Sequence, residues 1–124
     1  MSTAVFPGSF DPVTTGHVDL ICRASRMFDR LVVGVLVNSA KDPLFSQEER
    51  VAMLQEIVKD QDNITVCSFE GLLVDFVRQQ KADAIIRGLR SSGDFEYELP
   101  LAQANYKMNQ NADTVFLATA PEYS

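Results

Sequence analysis

The run Leu31-Val32-Val33-Gly34-Val35-Leu36-Val37 has no polar residue and no apolar–polar alternation. A strand with one wet face alternates; a strand apolar throughout is covered on both faces, as in a parallel sheet lying between helices. This segment therefore asks for helices on both sides of a sheet. The rest of the chain provides them. Ala4-Val5-Phe6, closed by Pro7-Gly8, predicts a first buried strand. Residues 16–28 then place Val18, Ile21, Cys22, Ser25 and Phe28 on one helical face. Ser46-Gln47-Glu48-Glu49 is a capping box, with a serine N-cap answered by a glutamate three residues on. It opens a helix expected to face Val51, Leu54, Ile57 and Val58 inward. Ile64-Thr65-Val66-Cys67 predicts a third strand, followed by a helix with Leu72, Leu73, Phe76 and Val77 inward. Ala84-Ile85-Ile86 predicts a fourth strand, residues 92–107 a fourth helix, and Thr114-Val115-Phe116-Leu117-Ala118 a fifth strand. Strands alternating with helices in this way predict an α/β fold, a doubly wound five-stranded parallel sheet of Rossmann-like type.

At 124 residues and 46% hydrophobic, the chain suits a single domain, 1–124, with one sheet at its centre. Residues 1–3 carry no basic patch, and no apolar run approaches the roughly 20 residues of a membrane span, so no membrane partner is expected and a cytoplasmic location is. Cys22 and Cys67 lie in apolar periodic segments and are expected to pack as small hydrophobes. Seventeen acidic residues against 11 basic ones give a net charge of −6, which argues against a nucleic-acid-binding face. A small anionic substrate needs only a few converging cations.

In doubly wound sheets, ligands bind outside the carboxyl ends of the strands, where strand order reverses. The first strand is followed by Pro7-Gly8-Ser9-Phe10-Asp11-Pro12-Val13-Thr14-Thr15-Gly16-His17, the second by Lys41, and the fourth by Arg87-Gly88-Leu89-Arg90. Lys41, Arg87 and Arg90 are thus placed where an anion would sit, while the other basic residues fall mainly on helices, as a solvated face would. The first loop is no Walker loop, because no Gly-Lys-Ser/Thr closes it, and no dinucleotide fingerprint, because Gly8 and Gly16 are too far apart. It still offers a glycine for close approach, the Ser9 hydroxyl, and a helix starting near Thr15 with free N–H groups and a positive dipole end. His17, the one histidine, falls in that helix's first turn. A helix-start histidine is often structural. The anion-friendly loop before it favours function, and sequence leaves its protonation state open.

Thr14-Thr15-Gly16-His17 matches the Thr-x-Gly-His signature of the nucleotidylyltransferase superfamily. Pro7-Gly8-Ser9-Phe10-Asp11-Pro12, Lys41-x-Pro43-Leu44-Phe45, Glu48-Glu49-Arg50, and above all Arg87-Gly88-Leu89-Arg90 with Asp94-Phe95-Glu96-Tyr97-Glu98 resemble the bacterial phosphopantetheine adenylyltransferases, from Val5 to Ser124. Those enzymes make dephospho-coenzyme A and pyrophosphate from ATP and 4′-phosphopantetheine. The resemblance implies that Ser9 contacts both ATP and acceptor, that the Phe10 backbone contacts ATP, and that His17 contacts ATP and stabilises the transition state at the α-phosphate. It implies Lys41 and Arg87 at the acceptor phosphate and Leu73 at the pantetheine arm. Gly88, Leu89, Arg90 and Glu98 match ATP-site positions, and Tyr123 and Ser124 begin a further ATP loop. It also implies Mg2+ held mainly through the ATP phosphates, a homohexamer, and feedback binding of coenzyme A. The family continues with a Phe-Ile-Ser-Ser-Ser-like stretch and C-terminal helices, so the 1–124 domain is expected to lack them. Tyr106 stands where that pattern leads one to expect a basic residue.

The resemblance implies direct in-line attack by the acceptor phosphate, which is already a competent nucleophile and needs no general base. That suits a sequence with no Ser–His–acid arrangement, and catalysis becomes positioning and charge stabilisation. A cytidylyl donor or a nicotinamide-mononucleotide acceptor is the nearest rival, opposed by the residues 87–90 and 95–98. A phosphorelay receiver would need acidic residues ending the first and third strands. The first strand ends in Pro7-Gly8.

Overall fold

In the computed structural model, which describes residues 1–38 and 42–123, the apolar run that begins at Leu31 forms β2 (Arg30–Leu36), second from one edge of a five-stranded sheet. Its neighbours are β1 (Thr3–Gly8) and β3 (Ile64–Phe69); β4 (Ala84–Leu89) and β5 (Asp113–Ala118) complete the order β3-β2-β1-β4-β5. Every pairing is parallel. The helices α1 (Thr15–Ser25), α2 (Gln47–Ile57), α3 (Leu73–Gln79) and α4 (Ser92–Met108) alternate with the strands. Both faces of β2 are covered, as its sequence required. Leu31, Val33 and Val35 join a cluster with Leu20, Ile21 and Ala24 of α1 and Leu54 of α2, while Val32 joins Phe76 and Val77 of α3 on the other face. Phe95 of α4 meets Phe116 of β5 edge-on, ring centroids 5.9 Å apart. The doubly wound sheet is therefore as predicted. No helix among the described residues is long and apolar enough to cross a membrane.

Three helical faces differ from the sequence reading. On α1 the buried residues are Leu20, Ile21, Ala24 and Ser25; Val18 and Cys22 flank them, and the helix ends before Phe28. On α2 the stripe facing the sheet is Arg50–Leu54–Val58, which leaves Ile57 43% exposed. On α3 Val74, Phe76 and Val77 are buried, whereas Leu72 is the N-cap residue and is exposed. The cysteines are both partly buried and free, and burial pushes the Cys67 thiol up, away from the reactive thiolate.

Pro7 shapes the sheet where the site lies. The Thr3 carbonyl accepts from the Asp83 N–H at 2.7 Å, so alternate residues of β1, Val5 and Pro7 included, turn their backbone groups toward β4. Proline has no N–H to give. The ladder to β4 stops at Val5↔Ile85, while pairing with β2 runs on to Gly8↔Val35. The sheet opens between the carboxyl ends of β1 and β4, where the strand order reverses.

Candidate active site

The opening leads into a cleft of about 730 Å³, a size suited to a nucleotide-like ligand. Its inner wall is the turn after β1. Phe10 takes a left-handed backbone, φ 50°, and is 2% exposed. Its ring folds back over Gly8, where a Cβ would lie 3.0 Å from the ring carbons, so the space that glycine provides is used by Phe10. The same ring meets the His17 imidazole edge-on, centroids 5.1 Å apart. Gly88 lets α1 press onto β4, since a Cβ there would stand 2.5 Å from Leu20 Cδ1.

His17 is the third residue of α1 and completes a capping box. Its own N–H donates to Thr14 Oγ1 at 3.2 Å, and the Thr14 N–H donates to His17 Nδ1 at 3.0 Å. A backbone amide can only donate, so Nδ1 must present a lone pair and the ring proton sits on Nε2. Burial, and after it the charge of Arg90, hold the imidazole below its ordinary pKa of 6.5. His17 is thus a neutral ring with one N–H donor, lining the cleft. The protonation state that sequence left open follows from the cap.

The cations come with their own counter-ions. Arg87 lies on β4, not in the loop after it. Its Nε and Nη2 donate to Glu98 Oε1 and Oε2 at 2.7 and 3.0 Å, a two-point pair in which the Glu98 side chain is 10% exposed. This pairing, ahead of the opposing effect of burial, raises the Arg87 pKa. Arg90 contacts Asp94 through Nε at 3.3 Å, with 68% of its side chain exposed. Glu98 and Asp94 stand one turn apart on α4. Beyond Arg87 and Glu98 lies a second cavity of about 320 Å³, walled by Leu72, Leu73, Leu101, Ala102 and Met108. The ion pair borders both cavities.

Two ties, the second of them buried, hold the loops that frame the cleft. Asp11 accepts from the Leu44 and Phe45 N–H groups at 2.8 and 2.9 Å. Arg50, 5% exposed, donates to the carbonyls of Ser9 (2.9 Å), Leu36 (3.2 Å) and Ser46 (3.3 Å). The solvated-face expectation fails for Arg50.

The cytidylyltransferase-like family model matches residues 5–124. A phosphopantetheine adenylyltransferase of Lachnoclostridium phytofermentans is 53% identical over 124 residues, all of this chain and 76% of that protein. The one from Clostridium tetani is 52% identical over the whole chain and 78% of its own length. The chain belongs to the phosphopantetheine adenylyltransferase family. It is accordingly a nucleotidyltransferase. A bifunctional NMN adenylyltransferase/ADP ribose pyrophosphatase from Francisella tularensis shares the fold, with a TM-score of 0.72 at 16% identity over 99% of this chain and 39% of that one.

Set against the phosphopantetheine adenylyltransferase pattern, Ser9, Phe10 and His17 line the large cleft from the β1 side, and Gly88, Arg90 and Tyr123 line it too. Arg87 and Glu98 border both cavities, and Leu73 lines the smaller one alone. Leu89 lines neither; its carbonyl accepts from the Thr119 N–H at 2.7 Å at the end of the sheet. Lys41 and Ser124 lie outside the described residues. Sequence reasoning gave no role to Asp94, Thr119 or Glu122, which line the large cleft. For Asp94 a signal existed, because acids four apart on a helix follow arginines three apart in the segment before it.

Proposed function

We propose that this chain transfers the adenylyl group of ATP to 4′-phosphopantetheine, giving dephospho-coenzyme A and pyrophosphate in coenzyme A biosynthesis. The observation that carries this reading is the place of Arg87, at the junction of a roomy polar cleft and a smaller apolar groove. A phosphate held there has space for a nucleotide on one side and an apolar arm on the other. The acceptor phosphate attacks the α-phosphorus in line; the bond to the α,β-bridging oxygen breaks and pyrophosphate leaves. Arg87 and Lys41 hold the nucleophile, and Leu73 and its neighbours the arm. Ser9 stands between the substrates, while Phe10, Gly88, Leu89, Arg90, Tyr123 and Ser124 serve the nucleotide side; Glu98, an ATP-site position in the family pattern, is engaged here through both oxygens by Arg87. His17 donates its Nε2–H to an α-phosphate oxygen as charge builds there.

Among the described residues no three acidic, histidine or cysteine side chains converge, and Asp94 and Glu98 are engaged by arginines. Mg2+ therefore fits as the triphosphate's own counter-ion, held by phosphate oxygens and water, where it would withdraw charge from the phosphates. The homohexamer, feedback by coenzyme A and a cytoplasmic location belong to the same reading through the family resemblance. Turnover tests it: MgATP with 4′-phosphopantetheine should give pyrophosphate, and dephosphorylated pantetheine should fail, having lost its nucleophile. Equal turnover with CTP, or with nicotinamide mononucleotide as acceptor, overturns the assignment.

A further inference from the structure

We infer that Glu98 is a positioning residue for Arg87, fixing which edge of the guanidinium the acceptor phosphate can use. The inference rests on the proposed reaction and concerns how its nucleophile is aimed. Arginine takes phosphate best through two parallel N–H groups. In Arg87 the Nε/Nη2 edge is already taken by both oxygens of Glu98. What remains is the end-on edge, the two N–H groups of Nη1 and the second of Nη2; among the described residues Nη1 reaches only the Pro7 carbonyl at 3.5 Å, a contact at the weak limit of a hydrogen bond. That carbonyl stands in the gap of the sheet opened by the proline.

The burial of Glu98 supports the assignment. It is the one buried residue of α4, whose other residues are partly or fully exposed. A carboxylate is costly to desolvate unless paired, so apolar packing gives no reason for a glutamate here; aiming a cation does. Asp94 and Arg90 form the contrast, with one longer side-chain bond at an exposed arginine, an interaction weak enough to yield to a phosphate. Of the two described arginines that line the cleft, Arg87 is therefore locked in direction and Arg90 loosely parked.

Freeing the locked edge should improve ground-state binding and spoil alignment. A misplacement of about 1 Å can cost on the order of 10²-fold in rate. In Glu98→Gln we expect kcat to fall roughly 10–100-fold while 4′-phosphopantetheine binds at least as tightly by calorimetry, with ATP affinity unchanged. In an Arg87→Ala background the same substitution should change kcat no further. Glu98→Asp, which keeps the charge on a shorter stem, should fall between, and serves in place of Glu98→Gln if that variant fails to fold. Weakened ATP binding with the acceptor unaffected would make Glu98 a nucleotide contact instead. A loss of equal size in the Arg87→Ala background, or an undiminished kcat, overturns the inference. Wild-type protein that neither binds nor converts 4′-phosphopantetheine would refute the proposed reaction itself, and is told apart by that control.

Discussion

One hydrogen bond, from the Thr14 N–H to His17 Nδ1 at 3.0 Å, fixes the imidazole's tautomer and caps α1. Structural and functional readings of a helix-start histidine therefore do not compete here: one ring nitrogen serves the fold and leaves the other as a donor toward the cleft. His17→Ala should lower kcat by roughly 10²–10³-fold, the range for losing one transition-state donor, with smaller changes in substrate binding; steady-state kinetics decide. The cap also gives a pH dependence of known sign. The folded pKa lies below the ordinary 6.5, so between the two values the unfolded chain binds the proton and the folded one does not. The stability that His17 contributes is fully present above 6.5 and is lost as pH falls through the folded value. Thermal melts from about pH 7 downward should show wild type losing Tm more steeply than His17→Ala until the folded pKa is passed. Asp29 and Asp94, both held below the ordinary 3.8 chiefly by backbone hydrogen bonds, act only at lower pH and leave that comparison clean.

Between elements, Arg50 has the widest reach. From α2 its guanidinium bonds a carbonyl just beyond β1, one at the end of β2 and one at its own helix cap. Arg50→Met fills similar space without donors and leaves those carbonyls short of partners. A loss of roughly 2–4 kcal/mol is expected, read as a lower urea midpoint at unchanged slope. Arg50→Lys should recover only part, because a single ammonium cannot reach three acceptors. The same residue explains where reading the sequence by elements stopped short. Strand order and helix number followed from apolar runs and caps, signals local to each segment. The helix faces followed less well, because a charged residue in the buried stripe of α2 shifts the apparent apolar face toward Ile57. Arg87 was read as loop because β4 continues past its apolar start, held by pairing of Arg87, Gly88 and Leu89 with β5. Ladder partners from a distant segment leave no local trace.

Across the whole molecule, the net charge of −6 coexists with a site for anions because the cleft's arginines are paired residue by residue. Sequence located the cations, since they end the segments that doubly wound topology brings to one edge. It did not show the second cavity, which needs Leu72 and Leu73 at the start of α3 to face Leu101, Ala102 and Met108 of α4 across the Arg87–Glu98 pair. If that groove receives the pantetheine arm, blocking it should separate the two substrates. Ala102 lies in its wall and is partly buried, and phenylalanine there would project a ring into about 320 Å³ of space. Ala102→Phe should weaken 4′-phosphopantetheine binding by at least the roughly 1–3 kcal/mol that one crowded apolar contact costs, with ATP affinity unchanged because no nucleotide-side residue is touched. Titration calorimetry with each substrate alone gives both numbers. Acceptor binding that survives the ring at full strength would move the arm out of this groove, and a parallel loss of ATP affinity would show that the two cavities are not independent.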